Sequence, residues 1–382
     1  MADLAAGPPD VIVIGGGLHG CSAALHLARR GARVTVLEKD HVGRHASGVN
    51  AGGVRRLGRD VAEVPLAVAA LEMWYRIRDL VDDDCGFEHH GQVQVAENAA
   101  ELATLAQRAA TLRELGFGHE EVVDRRELRE LVPAIADHCV GALVSRADGA
   151  ASPYRTTMAF RRKAASLGVR FEEGQGVARL ARAGAGWQVE TREGARRQAG
   201  VVVNCAGAWA DRIAAQLGEA VPLTVWALML MISARMPPFL RPVVGATGRP
   251  LSFKQYANGT VLIGGGHKGR PHRDENRTDL DVAGLAASAA TVWDLFPIMR
   301  GTAIVRCWAG IEGRLADDIP VIGPSSTEPG VFHAFAFAGH GFALGPVVGS
   351  IIAELVSTGR SNLPIAPFRI DRFAGAARGP GA

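Results

Sequence analysis

Gly15, Gly17 and Gly20 stand in G-x-G-x-x-G spacing within the run Gly15-Gly16-Gly17-Leu18-His19-Gly20. Four apolar residues, VIVI at 11–14, precede them, and CSAALHLARRG follows with helical spacing. Such a turn offers backbone N–H groups and the positive end of a helix to a pyrophosphate. Gly15 permits the tight turn, Gly17 lets the backbone approach phosphate, and Gly20 allows close helix–sheet packing. Glu38 closes the next apolar run, RVTVL. A carboxylate there accepts bonds from a ribose diol and repels a 2′-phosphate. A glycine-rich turn without a ligand is the alternative. Strand, glycines, helix, strand and acid in register speak for a bound dinucleotide.

The elements that must position this turn form one βαβ unit. Downstream, helical spacing recurs at 61–80, 97–115, 120–132 and 156–167. VRFEEGQGVARL and WQVETREG read as strands and turns, and VVVNCAGAWA as a buried strand entering a loop. The stretch 221–263 is strand-rich, with an Asn258-Gly259 turn between LSFKQY and TVLIGG. Its run VWALMLMI (225–232) is either a core strand or an exposed apolar patch. A helix is expected at about 280–295. The end, GVFHAFAFAGHGFALGPVVGSIIAELVSTG, reads as strand, glycine loop and helix, with Pro346 at the first helical position. The tail at 374–382 is expected to fray. An α/β pattern at the start, middle and end encloses a hairpin-rich segment. That points to a nucleotide-binding domain assembled from separated pieces, with a sheet-based domain inserted.

Composition narrows the class. The 382 residues carry 42 Lys+Arg against 39 Asp+Glu, a net charge of +3, without a long block of like charge. A nucleic-acid stripe or polybasic anchor is therefore not expected. With 48% hydrophobic and 21% charged residues the chain is not disordered. Cys21, Cys85, Cys139, Cys205 and Cys307 are scattered and form no C-x-x-C pair, so all five read as small buried residues. No leader pattern opens the chain, and its apolar runs are too short for a membrane span. The expectation is a soluble protein of a reducing compartment, cytoplasmic.

Three separated segments carry a family resemblance. Glu38-Lys39-Asp40, with Arg44-His45-Ala46-Ser47-Gly48-Val49-Asn50-Ala51-Gly52-Gly53-Val54-Arg55, resembles the second flavin-contact segment of the glycine oxidase, sarcosine oxidase and D-amino acid oxidase superfamily. Trp308-Ala309-Gly310, with Asp317-Asp318-Ile319-Pro320-Val321-Ile322-Gly323-Pro324, resembles its WAG...D...P.IG element. Ala338-Gly339-His340-Gly341-Phe342-Ala343-Leu344-Gly345-Pro346 is similar to its final flavin loop, most of all in the opine oxidase and hydroxyproline dehydrogenase β-type branch. The resemblance spans nearly the whole chain. It implies a Rossmann-like FAD-binding domain built from 1–85, 146–220 and 305–382, with an antiparallel-sheet substrate domain from 86–145 and 221–304. It adds Val177 as an adenine contact, and Ala206, Gly207 and Trp209 as a cofactor-adjacent turn. A reduced flavin is negative around N1 and its C2 carbonyl, and a glycine loop entering a helix suits that charge. In the dimethylglycine dehydrogenase branch a histidine matching His45 links covalently to the flavin. Many relatives carry no link, and noncovalent FAD is the expectation.

The resemblance implies hydride transfer from the carbon beside nitrogen of an amino acid or secondary amine to flavin N5, giving an imine that hydrolyses. A cation usually holds the substrate carboxylate. Arg55, Arg56, Lys254, Lys268 and Arg314 are the candidates, and Arg55 and Lys254 are preferred. His267 falls where sarcosine oxidases carry an active-site histidine. Other family positions differ. Ile263 stands where those oxidases hold an oxygen-activating lysine. Ala343 replaces a carboxylate-binding lysine, and Glu312 replaces the carboxylate-binding arginine of glycine oxidases. Glu312 either welcomes a cationic group or is an acid salt-bridged to Arg306 or Arg314. The acceptor is oxygen or, given Ile263, a protein or quinone. Competing readings are the catalytic subunit of a hetero-oligomeric dehydrogenase, a nicotinamide dehydrogenase, and a non-enzymatic flavin-binding subunit. A nicotinamide enzyme leaves the C-terminal glycine loop without a role. The oligomeric state stays open.

Overall fold

The computed structural model describes residues 10–374. Most of the tail expected to fray lies outside them. The glycine turn joins strand β1 (Val11–Ile14) to helix α1 (Leu18–Arg29), which leads to β2 (Val34–Glu38). All four β1 residues are buried, which an all-apolar strand covered on both faces requires. A short helix, α2 (Ala46–Val49), follows β2. β1 and β2 lie centrally in a six-stranded sheet that also holds Arg170–Glu173, Val201–Asn204, Val321–Pro324 and Val331–Phe335. Its pairs are parallel except at the Val321–Pro324 edge.

A ten-stranded sheet draws strands from two stretches, 92–145 and 224–314. Its spine is β3 (Thr224–Ser233), the expected VWALMLMI strand, paired antiparallel along its length with β4 (Ile304–Arg314). The expected domain division put β4 with the cofactor segments. Its register with β3 places it in the large sheet instead. That sheet is antiparallel apart from one parallel pair, Val243–Ala246 with Gln92–Ala96. Its core face packs on helix Val282–Leu295, with Phe253 stacked on Phe296 at 4.3 Å. Three strands between Val177 and Ala199 form a small separate antiparallel sheet.

Two local expectations are corrected. Within 120–132, Glu121–Asp124 is an edge strand and only Arg125–Leu131 is helical. Asp124 makes the break: its carboxylate caps the helix by accepting from the Glu127 N–H at 2.9 Å. The last long helix, α3 (Gly341–Thr358), starts ahead of Pro346 and encloses it. Pro346 lies inside the helix, past the first four residues whose N–H groups lack partners, so it removes one bond to the Phe342 carbonyl. α3 packs against α1 and against helix Val64–Tyr75, where the buried Trp74 donates to the Ala343 carbonyl at 2.7 Å. Among the described residues α3 alone is long and apolar enough to cross a membrane, and most of it is buried in this core. Four cysteines are buried as expected, whereas Cys307 is half-buried on β4.

Candidate active site

At the glycine turn, Gly15 adopts φ +105°, and a Cβ there would overlap the Cys205 carbonyl. Gly20 is pressed so closely on the Gly15 carbonyl oxygen that no side chain fits between α1 and the turn. Glu38 holds the turn from β2, accepting from the Gly16 N–H at 2.6 Å and the Asp40 N–H at 2.9 Å. Burial raises its pKa, against those two hydrogen bonds. Ser47 on α2 accepts from the Leu18 N–H at 2.9 Å, tying the two helix starts together. Asn50 donates to the Ala46 carbonyl and accepts from the Gly52 N–H, which closes the turn after α2.

A cleft of about 440 Å³ runs from these groups to the C-terminal glycine loop. Gly15, Gly17, Leu18, His19 and Glu38 line one side. Lys39, His45, Ala46, Ser47 and Asn50 line the next. Val177, the turn Ala206, Gly207 and Trp209, and the loop residues Gly339, Gly341 and Phe342 complete the lining. The His19 ring stacks on Phe337 at 3.6 Å, and its Nε2 is buried without a partner. Burial lowers the His19 pKa to about 3, so the ring is neutral. His45 Nε2 lies 2.8 Å from Asp40 and 3.0 Å from the Lys39 ammonium, which sits over the Trp209 ring. Burial, then the Lys39 charge, lower the His45 pKa to about 4. The loop into α3 is strained: Ala336 and Ala338 are both left-handed, at about 1–2 kcal/mol each.

A second cavity, of about 420 Å³, meets the cleft along a seam. Ala46, Asn50, Glu312, Ala338 and Gly339 line both. Its remaining walls include Arg55, Gln92, Gln94, Trp226, Leu228 and His340. Arg55 donates to the Leu57 carbonyl and forms no ion pair among the described residues. Burial, then the neighbouring Arg59, lower its pKa to about 10, which leaves it charged at neutral pH. Beneath it Arg59 is fully buried, donates to the Arg55 and His340 carbonyls, and lies 3.5 Å from Glu63. That pair props the loop. Arg56 is turned away onto Asp148 at 3.0 Å.

Several expected residues sit elsewhere. Ala51, Gly310 and His340 line the second cavity and not the cleft. Gly20, Gly52, Ala343 and Leu344 line neither. Gly20 and Gly52 act through close backbone packing, while Ala343 and Leu344 are buried in the α1–α3 core. Lys254 also lines neither cavity. Its ammonium is buried beside Gly52 and over the Tyr256 ring at 4.7 Å. His267 packs its Cβ toward Gly284 on the helix behind the sheet, because Gly265 and Gly266 turn the chain first. Ile263 is buried in the core of the large sheet. The expected salt bridge of Glu312 is absent among the described residues: Arg314 pairs with Asp318 and lies over the Trp226 ring, and Arg306 is exposed. Gln175, Arg192 and Arg212 line the cleft without a signal in the sequence, since separate turns and a helix bring them together.

A glycine-turn cleft that ends on a second, charged cavity is the layout of a dinucleotide-dependent redox enzyme. The model of the DAO family, FAD dependent oxidoreductase, matches residues 10–355. The chain belongs to that family, and it is an FAD-dependent oxidoreductase. It is 27% identical to glycine oxidase of Geobacillus kaustophilus, over 96% of this chain and 97% of that one. It is 25% identical to a subunit of opine oxidase from Rhizobium meliloti, over 95% and 97%. L-proline dehydrogenase from P. horikoshii shares its fold with a TM-score of 0.89 at 26% identity, covering 96% of this chain and 98% of that one. The cleft fits FAD: a carboxylate at the end of β2, a helix start with no side chain in the way, and the unpartnered His19 nitrogen all border one space.

Proposed function

We propose that the chain oxidises an amino acid or secondary amine at the carbon next to nitrogen. The observation that carries this reading is the second cavity, which Arg55 enters without an acidic partner among the described residues and whose seam opens on the cleft. A cation without an internal carboxylate partner in a half-enclosed cavity suits a substrate carboxylate. The relatives named above, a glycine oxidase, an opine oxidase subunit and a proline dehydrogenase, support the amine class. Held in the cleft, FAD supplies the hydride acceptor. Arg55 orients the substrate, Trp226 and Leu228 exclude water around its carbon chain, and the glycine loop offers N–H groups to the anionic end of the ring. In this reading the cofactor and substrate segments form two domains, divided near residues 85, 145, 220 and 314.

The test is anaerobic mixing with glycine, sarcosine, D- and L-amino acids, proline derivatives, opines and N-carboxymethyl amino acids, following the flavin band. Bleaching by a member of this panel is expected. A band that no amine bleaches would sink the proposal. A second reading makes the chain the catalytic subunit of a hetero-oligomeric dehydrogenase with a protein or quinone acceptor. The buried Ile263, and a relative named as a subunit, favour it.

A further inference from the structure

Glu312 is the one carboxylate on the seam between the two cavities among the described residues. On β4 it faces the same way as Trp308 and Gly310, both of which dock on α2, so its side chain points at the cofactor end of the substrate cavity. Its Oε1 is closed off from solvent and makes no hydrogen bond, although the Gly339 N–H lies close enough to the carboxylate to act on it. The nearest arginine on its own strand, Arg314, is held by Asp318 and Trp226. Gly339 on the loop into α3 lies against this carboxylate: a Cβ there would be 3.4 Å from Oε1 and 3.2 Å from the Leu228 side chain. Buried carboxylates normally have their hydrogen bonds made, and this one is left unmade beside a cavity that already holds an arginine without an acidic partner.

We propose that Glu312 receives the substrate's charged nitrogen and takes its proton, with Arg55 holding the carboxylate at the other end. This rests on the amine-oxidation reading. The substrate enters as a zwitterion. One N–H bond breaks, its proton goes to the Glu312 carboxylate, and the electron pair stays on nitrogen. The freed lone pair then forms the C=N bond as the hydride leaves the adjacent carbon. The proton returns to water after the product departs. Recognition of this kind selects substrates with a cationic nitrogen close to a carboxylate, and disfavours neutral amides and simple carboxylic acids.

Burial raises the Glu312 pKa to about 7, opposed by Arg314 and the Gly339 N–H. The other titratable groups around it are Arg55, Arg314 and His340 on the substrate cavity, Lys268 over the Trp226 ring, and His19 and Arg212 along the cleft. Burial lowers the His340 pKa, against its contact with Glu63, and takes that of His19 down to about 3.

The experiment compares the flavin-loaded wild type with Glu312→Gln, which keeps the shape and removes the charge. Flavin spectra are titrated with α-aminoisobutyrate, a zwitterion without a C–H beside its nitrogen, and with isobutyrate, its counterpart lacking the amine. The variant should bind the zwitterion at least about 10-fold more weakly and isobutyrate no more weakly. Anaerobic flavin reduction by the best amine of the panel should fall about 100-fold at pH 7 and recover as pH approaches the free amine's own pKa. Equal affinities for the zwitterion, an unchanged pH profile, or loss of flavin from the variant would overturn the assignment. If no amine reduces the wild type, the functional reading fails instead, and the two failures are told apart. Glu312→Asp, which keeps the acid, should retain the wild-type preference for the zwitterion.

Discussion

Arg55 is a half-buried cation and Lys254 a buried one, and their surroundings give them opposite consequences. Arg55 lines the substrate cavity, so Arg55→Met should raise KM for a carboxylate substrate about 100-fold or more, with a smaller change in kcat. Steady-state kinetics on the amine found in the panel checks this, and equal losses in both constants would argue against carboxylate binding. Lys254 is buried away from both cavities, and burial lowers its pKa to about 8, against a pull from Glu88. Its ordinary value is 10.5. Between those two values the unfolded chain holds a proton that the folded chain has released, so stability rises with pH there. Below pH 8 the folded state carries the full cost of a buried charge, about 3 kcal/mol. Lys254→Met should therefore stabilise the protein at pH 7 and flatten the rise between pH 8 and 10, read by urea unfolding at several pH values. A destabilised variant at pH 7 would show that the ammonium makes a contact worth more than its burial costs.

At the scale of elements, the cofactor cleft depends on how closely α1 approaches the turn after β1. Gly20→Ala would push the Gly15 carbonyl and the start of α1 apart. The expected cost is about 1–3 kcal/mol in stability, with loss of most bound FAD. Flavin absorbance per protein after purification measures it, and full flavin occupancy would count against this geometry. Much at this scale was legible. The β1–α1–β2 unit, the helices near 97–115 and 156–167, and the hairpin around Asn258-Gly259 all follow from periodicity and turn chemistry. The strand Glu121–Asp124 was hidden because its residues also fit a helical period and its partner strand, Gly141–Ser145, lies in a later segment. Pro346 misled because a proline favours helix starts, whereas here the cofactor loop, pinned by Phe337 and His19 against Gly341, set an earlier start.

For the whole molecule, the large sheet buries Ile263 in its core, where no cation can face the seam from that position. Reduced flavin should accordingly return to the oxidised form over minutes in air, and rapidly with a quinone or dye acceptor. Stopped-flow reoxidation measures it. Return within seconds in air would make the enzyme an oxidase and remove the argument from Ile263.

By itself the sequence determined the parts whose causes are local or repeated along the chain. These are the phosphate turn, the acid on β2, the α/β interleaving, and three flavin segments whose order carried the family. Their physics is backbone geometry and short-range periodicity, which neighbouring residues record. Only the tertiary structure decided which charged side chains reach the substrate. Arg55 enters the cavity, while Lys254 is diverted beside Gly52 and His267 behind the sheet. Glu312 is left open because Asp318 and Trp226, from other positions on the sheet and its following loop, intercept Arg314. A side chain's destination depends on its strand face and on partners from distant segments, and neither is written in its immediate neighbours.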